Sequence, residues 1–389
     1  MRIRRMGLTL LAGIALVAAA CTTGSSSSPS ASATPDPCAA FTPGKGHTMP
    51  TDKTKIKIGV VTDVGTVNDK NFNEYTYNGA VDGAAAIGTD KPPVTVPKDP
   101  SEYAKDLQAY IDQGFDIIVT AGFNLGTATG CAALANPGVW FIGVDQAPVT
   151  GADHYVALGY QEDQAGYLAG IIAASVSKTG VLGAIGGITL CGPCIKYIQG
   201  FQLGAQSINP NVKIKIGWVT TSDFVKAFND PVTGKSFGKQ FLDQNKDVDV
   251  LFQVAGKTGN GVLDAACDAG IYGVGVDVDQ ALSYPNAAKC TITSAEKKLS
   301  KSVASVIGSI AGGTMKGGAD LWNAARDGVG YSPAHDLASV VPATATSAAD
   351  SAFQQMKATP PLKTCPDKCG DLATLQASTG SSSPAPSGS

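Results

Sequence analysis

Short apolar runs that stop abruptly on polar residues alternate along this chain with longer stretches whose apolar residues recur at helical spacing. The runs fall at 57–62, 116–121, 140–144, 155–158, 181–185, 213–219, 248–254, 272–276 and 291–293. The helical stretches fall between them, at 71–87, 101–113, 125–135, 163–177, 195–208, 235–244, 260–269 and 297–310. Apolar runs without alternation suit strands covered on both faces, and strands separated by helices give βαβ units with parallel pairing. The pattern predicts an α/β protein with two doubly wound parallel-sheet lobes, the natural break lying near 159–163.

The first unit, I-G-V-V-T-D-V-G-T-V-N-D-K-N-F-N-E-Y (58–75), sets out the chemistry. Its strand ends at Asp63 and a Gly65 turn, and a helix follows. Open α/β sheets bind ligands in the crevice beyond the carboxyl ends of their strands, which is where Asp63, Asn68, Asp69 and Phe72 fall. The plainer reading makes the acids and Asn68 turn and helix-cap residues, and Phe72 core. Later strand ends repeat the theme. F-I-G-V-D-Q (141–146) and G-V-D-V-D-Q (275–280) finish on Asp145 and Asp277, and V-A-G-K-T-G (254–259) places Gly256 where a backbone amide can approach a ligand. Acids at several strand ends with aromatics at Phe72, Phe228 and Phe252 suit a flat, hydrogen-bonding heterocycle.

Composition narrows the ligand. Residues 1–20 carry Arg2, Arg4 and Arg5 before an uncharged apolar run, the anatomy of a signal peptide; losing them takes the formal net charge from −3 to −6, which disfavours a nucleic-acid partner. Arg326 is then the only arginine, so bidentate capture of a phosphate or carboxylate is not expected, and a neutral ligand is. The leader ends Ala19-Ala20-Cys21, similar to a bacterial lipoprotein signal in which Cys21 is lipidated; an ordinary secreted chain is the alternative. A Ser/Pro-rich tether occupies 22–37 and a Ser/Pro/Gly tail 378–389, leaving a folded body of about 55–360.

Removing Cys21 from nine cysteines leaves an even eight, which fits an exported protein with disulfides. Spacing suggests Cys191–Cys194 and Cys365–Cys369, with Cys267–Cys290 a further pair and Cys38 and Cys131 remaining. C-G-P-C (191–194) also reproduces the thioredoxin active-site motif at a strand-to-helix junction, so a thiol oxidoreductase competes with a structural bridge. The stretch 63–69 faintly resembles the calcium site of nucleoside hydrolases but lacks ligands that a metal needs, and His47, His154 and His335 show no metal-ligand spacing.

Taken together, T-D-V-G-T-V-N-D-K-N-F-N (62–73), Y-Q-E-D-Q-A-G-Y-L-A-G (160–170), Q-G-F-Q-L-G-A (199–205), F-N-D-P-V-T-G-K (228–235), V-A-G-K-T-G-N-G-V (254–262) and G-V-D-V-D-Q (275–280) resemble the Bmp (basic membrane protein) family of ABC-importer substrate-binding lipoproteins, several of which bind purine nucleosides. The resemblance implies a type I periplasmic-binding-protein fold joined by a hinge, with lobe 1 at 55–160 plus about 295–345, lobe 2 at 161–294 and a C-terminal segment at 346–389. It further implies that Asp63 and Asp145 bond a base edge, with Asn68, Asp69 and Asn73 beside them. Phe72, with Phe228 or Phe252, would stack on the ring, and Asp277, Gly256 and Lys297 would hold ribose hydroxyls. Whether Phe224 or Phe228 is the stacking residue stays open in S-D-F-V-K-A-F (222–228). The implied partners are an ABC permease with its ATPase and, through the lipid, the outer face of the cell membrane. The implied form is a monomer without cofactor or enzymatic activity; a nucleoside-processing enzyme or a ligand-sensing receptor is the alternative.

Overall fold

A computed structural model describes residues 38–44 and 46–380. The expected leader, Cys21, the tether and the end of the tail lie outside these residues. Among the described residues there are twelve strands, in chain order β1 Ile58–Thr62, β2 Val94–Thr95, β3 Ile117–Ala121, β4 Trp140–Val144, β5 Tyr155–Tyr160, β6 Val181–Ile188, β7 Lys213–Thr220, β8 Val250–Val254, β9 Tyr272–Asp277, β10 Thr291–Lys297, β11 Gly318–Trp322 and β12 Val329–Tyr331. The helices are α1 Phe72–Ile87, α2 Tyr103–Asp112, α3 Gly126–Ala135, α4 Glu162–Val176, α5 Gly192–Ile208, α6 Phe224–Phe228, α7 Pro231–Gln244, α8 Gly256–Asp268, α9 Gln280–Ser283, α10 Leu299–Ala311, α11 Ala343–Met356 and α12 Leu372–Thr379.

The strands form two six-stranded sheets, ordered β11-β5-β4-β3-β1-β2 and β12-β10-β9-β8-β6-β7. Every pair is parallel except β10–β12. Helices cover both faces, which is why β1, β3, β6 and β8 are buried at every position and read as unbroken apolar runs. The chain crosses between the sheets after β5, after β10 and between β11 and β12. These crossings are tied together, Gln161 N–H donating to Trp322 O and Lys298 N–H to Gly328 O.

Glycine sets the contact between α4 and α5. A side chain on Gly166 or Gly170 of α4 would lie 2.1 or 2.2 Å from Tyr197 O or Phe201 O, and one on Gly200 or Gly204 of α5 would lie 2.0 or 1.9 Å from Asp163 O or Tyr167 O. The glycines of the 160–170 and 199–205 motifs therefore bring two helix backbones into direct contact.

Three boundaries differ from the sequence expectation. The return to the first sheet stops at β11, because β12 pairs with β10 in the second sheet and α11 packs on α4; the stretch from 329 to 345 does not belong with the first lobe. The ordered body also begins earlier, where Cys38 is bridged to Cys131 and Phe41 is buried. It ends later, at α12 against α5. There the Gln199 amide donates to Lys368 O and Asp371 O and accepts from Gly370 N–H, holding a small loop closed by Cys365–Cys369. The other bridges join Cys191 to Cys194 and Cys267 to Cys290.

Candidate ligand-binding cleft

The carboxyl ends of strands from both sheets, together with the starts of α1, α5 and α8, surround a cleft holding about 580 Å³ of space free of protein atoms, part of it open to solvent. Asp63, Asp69, Phe72, Asn73, Asp145, Phe228, Gly256, Asp277 and Lys297 of the sequence prediction all line it.

Asp63 follows β1. Its carboxylate accepts from Val64 N–H at 2.5 Å, and space for it exists because residue 122 is glycine: a side chain there would lie 1.9 Å from Asp63 Oδ2, at a backbone φ of +107°. Burial pushes the Asp63 carboxyl up to about 7, against the lowering effect of backbone amides, with the negative Asp145 adding to the rise. Asp69 is spent largely within the protein, accepting from the N–H groups of Asn71, Asn73 and Glu74 at 2.9, 2.9 and 3.1 Å. It thus caps α1 and aims Phe72 and Asn73, and burial is the main reason its carboxyl is raised. Asn73 donates to Val64 O at 2.9 Å, while its Oδ1 is buried without a hydrogen-bond partner, as is Asp145 Oδ1.

Asp145, which follows β4, and Asp277, which ends β9, have left-handed backbones, φ 61° and 65°. That geometry, uncommon outside glycine and asparagine-like residues, turns each acid away from its strand direction into the cleft. Between them stands Lys297, the last residue of β10. Its Nζ lies 2.5 Å from Asp145 Oδ2, 3.4 Å from Glu162 Oε1 and 3.8 Å from Asp277 Oδ1. The rings of Phe72, Tyr160 and Tyr197 surround the ammonium at 5.5, 5.3 and 5.4 Å. Burial alone would drive the lysine proton off; the three carboxylates outweigh it and hold the ammonium charged. Asp145 is raised to about 6, by burial first, with Lys297 opposing. The Lys297–Asp145 pair crosses from one sheet to the other.

Two predicted residues are placed elsewhere. Phe252 is fully buried in β8, stacked on Phe201 at 4.8 Å and edge-on to Tyr197 at 6.3 Å, so it is core beneath α5. Asn68 is exposed on the turn, its side chain accepting from the Thr66 hydroxyl, and does not line the cleft. Phe228 lines the cleft and meets Phe123 edge-on at 6.0 Å; Phe224 touches Phe123 at 5.9 Å but is not part of the lining. Sequence reasoning missed Phe123, Tyr197 and the cleft-facing position of Cys191, Pro193 and Cys194, and Glu162 as a partner of Lys297. Of these, Tyr197 had a usable signal, since it follows Cys194 by one helical turn. Its hydroxyl donates to Asp277 Oδ1 at 3.0 Å.

Outside the lining, the second lobe grips the turn before α1. Asn260 Nδ2 donates to Asp69 O at 3.1 Å and the Ser283 hydroxyl to Lys70 O at 2.9 Å. Asn260 is itself held by Gln280, whose Oε1 accepts from Val276 N–H beside Asp277.

These features can be compared with known proteins. Residues 56–350 match the family model described as Bmp, ABC transporter substrate-binding protein PnrA-like. The chain belongs to the Bmp family. Among curated Bmp-like relatives, the CD4+ T-cell-stimulating antigen of Listeria monocytogenes is 28% identical over 57% of this chain and 63% of its own length. The ABC transporter nucleoside-binding protein BmpA of Lactococcus lactis is 27% identical over 59% of this chain and 65% of its own. The matched stretch therefore spans less than two thirds of either relative. A solute-binding protein of an ABC transporter system from Aeropyrum pernix superposes with a TM-score of 0.72 at 20% identity, over 83% of this chain and 96% of that one, and shares the two-lobed α/β fold. No helix among the described residues is long and apolar enough to cross a membrane.

Proposed function

We propose that this Bmp-family protein is the extracytoplasmic solute-binding component of an ABC importer, that its ligand is a purine nucleoside, and that Cys21 anchors it to the membrane by a lipid. One observation carries the ligand class: a single buried ammonium shared by three carboxylates in an aromatic-walled cleft without arginine. Such a site has an excess of negative charge and of hydrogen-bond acceptors. It suits hydroxyls and ring N–H groups and opposes a phosphate, so it favours a nucleoside over a nucleotide.

In this reading Phe72 and Phe228 enclose the base, Asp63 accepts from its N–H edge, and Asp145, Lys297 and Asp277 take the ribose hydroxyls, with Gly256 offering its amide and Asn73 its unpaired oxygen. Asp145 is assigned to the sugar because it is tied to Lys297, whereas Asp63 stands apart from that cluster. Ligand bridging the two lobes favours their closed arrangement by its differential affinity for it. The closed form is then recognised by a permease whose separate ATPase drives release.

Isothermal titration of residues 38–389 with adenosine, guanosine, inosine, uridine, ribose and a purine monophosphate tests this. Saturable purine-nucleoside binding without release of free base, absent for the monophosphate and lost in Asp63→Ala and Phe72→Ala, is the expected result. Release of free base would make the protein a hydrolase, and silence across the panel from folded protein would remove the nucleoside assignment.

A further inference from the structure

Among the described residues, four disulfides occur, and Cys191–Cys194 is the one whose cysteines line the cleft. It spans a separation of only 3 residues, against 93 for Cys38–Cys131, so it restricts the unfolded chain far less. Stabilisation is a poor reason for it. Cys191 is the N-cap of the 17-residue α5, and its Sγ accepts from Cys194 N–H at 3.1 Å. A thiolate formed there meets the unpaired amides and positive end of a long helix, which favours the reduced pair and makes the bridge readily reducible.

The two residues are 3% and 5% exposed, and the cleft is the space they face. Separation of the lobes is therefore the route by which a reductant reaches the sulfurs. One turn further along the same helix, Tyr197 bonds Asp277, so the redox pair and the ligand wall are carried by one rigid element.

We propose that Cys191–Cys194 is a reversible dithiol–disulfide site in the ligand cleft, reduced by a dithiol, shielded when bound ligand closes the lobes, and binding ligand more tightly when oxidised. A reductant thiolate attacks one bridge sulfur and displaces the other as a thiolate. The reductant's second thiolate then breaks the mixed disulfide. The dithiol is oxidised to its own disulfide, and its two electrons and two protons end on the Cys191 and Cys194 thiols. Opening the bridge moves the sulfurs from about 2 Å to a non-bonded contact of about 3.5–4 Å. Backbone contact at Gly200 and Gly204 holds α5 against α4, and both cysteines line the cleft, so the added volume enters the cleft. Reciprocally, ligand must stabilise the disulfide by the factor that oxidation gains in affinity. Reducibility stands on the geometry alone, whereas the coupling rests on the nucleoside reading.

The test follows all four bridges by alkylation and mass-spectrometric mapping during exposure to dithiothreitol, with and without a nucleoside shown by titration to bind. In free, folded protein Cys191–Cys194 should open while Cys267–Cys290 persists. Saturating nucleoside should slow that opening by about tenfold or more and leave the rate at the exposed Cys365–Cys369 unchanged. Reduced protein, and the Cys191→Ser/Cys194→Ser double variant in either redox condition, should bind several-fold more weakly. A bridge that opens only as circular dichroism is lost would overturn the redox site. A nucleoside that binds yet neither protects the bridge nor loses affinity on its reduction would overturn the coupling. If no nucleoside binds, the function reading has failed, and the ligand-free rate alone decides whether the site is redox-active.

Discussion

The two ends of the cleft hold their acids by different physics. At one end Asp63 and Asp69 are fixed by backbone amides, which place a carboxylate without supplying a full countercharge, and burial leaves Asp63 raised to about 7. At the other end Asp145, Glu162 and Asp277 share the Lys297 ammonium. Burial leaves acids raised at both ends, Asp63 to about 7 and Asp145 to about 6, but only Asp145 has a cation in direct contact. A ligand spanning both meets at one end an acceptor placed by backbone amides and at the other acceptors gathered on a shared cation.

Removing the shared cation should do the most damage. Lys297→Met leaves buried carboxylates uncompensated, for which about 3–5 kcal/mol of destabilisation is expected. Thermal unfolding should show a large drop in midpoint, and titration should show no binding. Smaller, and confined to the amide-held end, is Gly122→Ala: its methyl meets Asp63 Oδ2 at an unfavourable backbone angle, so about 1–3 kcal/mol is expected. Gly308→Ala, on α10 with open space around it and away from the cleft lining, serves as the neutral control. If both variants bind alike, the placement of Asp63 does not matter.

The pH dependence probes the amide-held end most directly through Asp63. Asp63 binds its proton more tightly folded than unfolded, so its contribution to stability is complete below about pH 4 and is lost as pH rises towards 7, by at most about 1.4 kcal/mol per unit. Asp63→Asn should remove the Asp63 share of that slope and leave the share of Asp145, whose carboxyl is raised to about 6. Ligand that pairs with the ionised carboxylate should bind more tightly as pH rises through the same range and release a proton below 7, visible as buffer-dependent titration enthalpy. The smallest effect is expected at the clasp. Asn260→Ala removes one hydrogen bond between lobes, worth about 1 kcal/mol, and should speed dissociation of every ligand by a similar factor without altering their ranking.

Much of this was readable beforehand because strand ends announce themselves. An apolar run halted by an acid gave Asp63, Asp145 and Asp277, and the alternation of runs and helical stretches gave both sheets. Phe252 misled because an aromatic within a fully buried strand shows no facing preference in sequence; its position against Phe201 is decided by where α5 lies. Asn68 misled because turn chemistry and ligand chemistry use the same residue types. Tyr197 and Glu162 were hidden in helices buried on most sides, where only the tertiary position of a residue shows what it meets. The C-terminal boundary was obscured by composition: Cys365–Cys369 and the Gln199 contacts order a stretch whose residues carry few apolar anchors of their own.

The glycine contact between α4 and α5 has a mechanical side. α4 begins at Glu162, beside a crossing between the lobes, and α5 carries Cys194 and Tyr197 into the ligand wall. With main chain resting on main chain, no layer of side chains lies between the helices to slip or absorb strain. Rotation at the crossing therefore arrives at the ligand wall without backlash, and the wall can act as a pointer for the angle between the lobes.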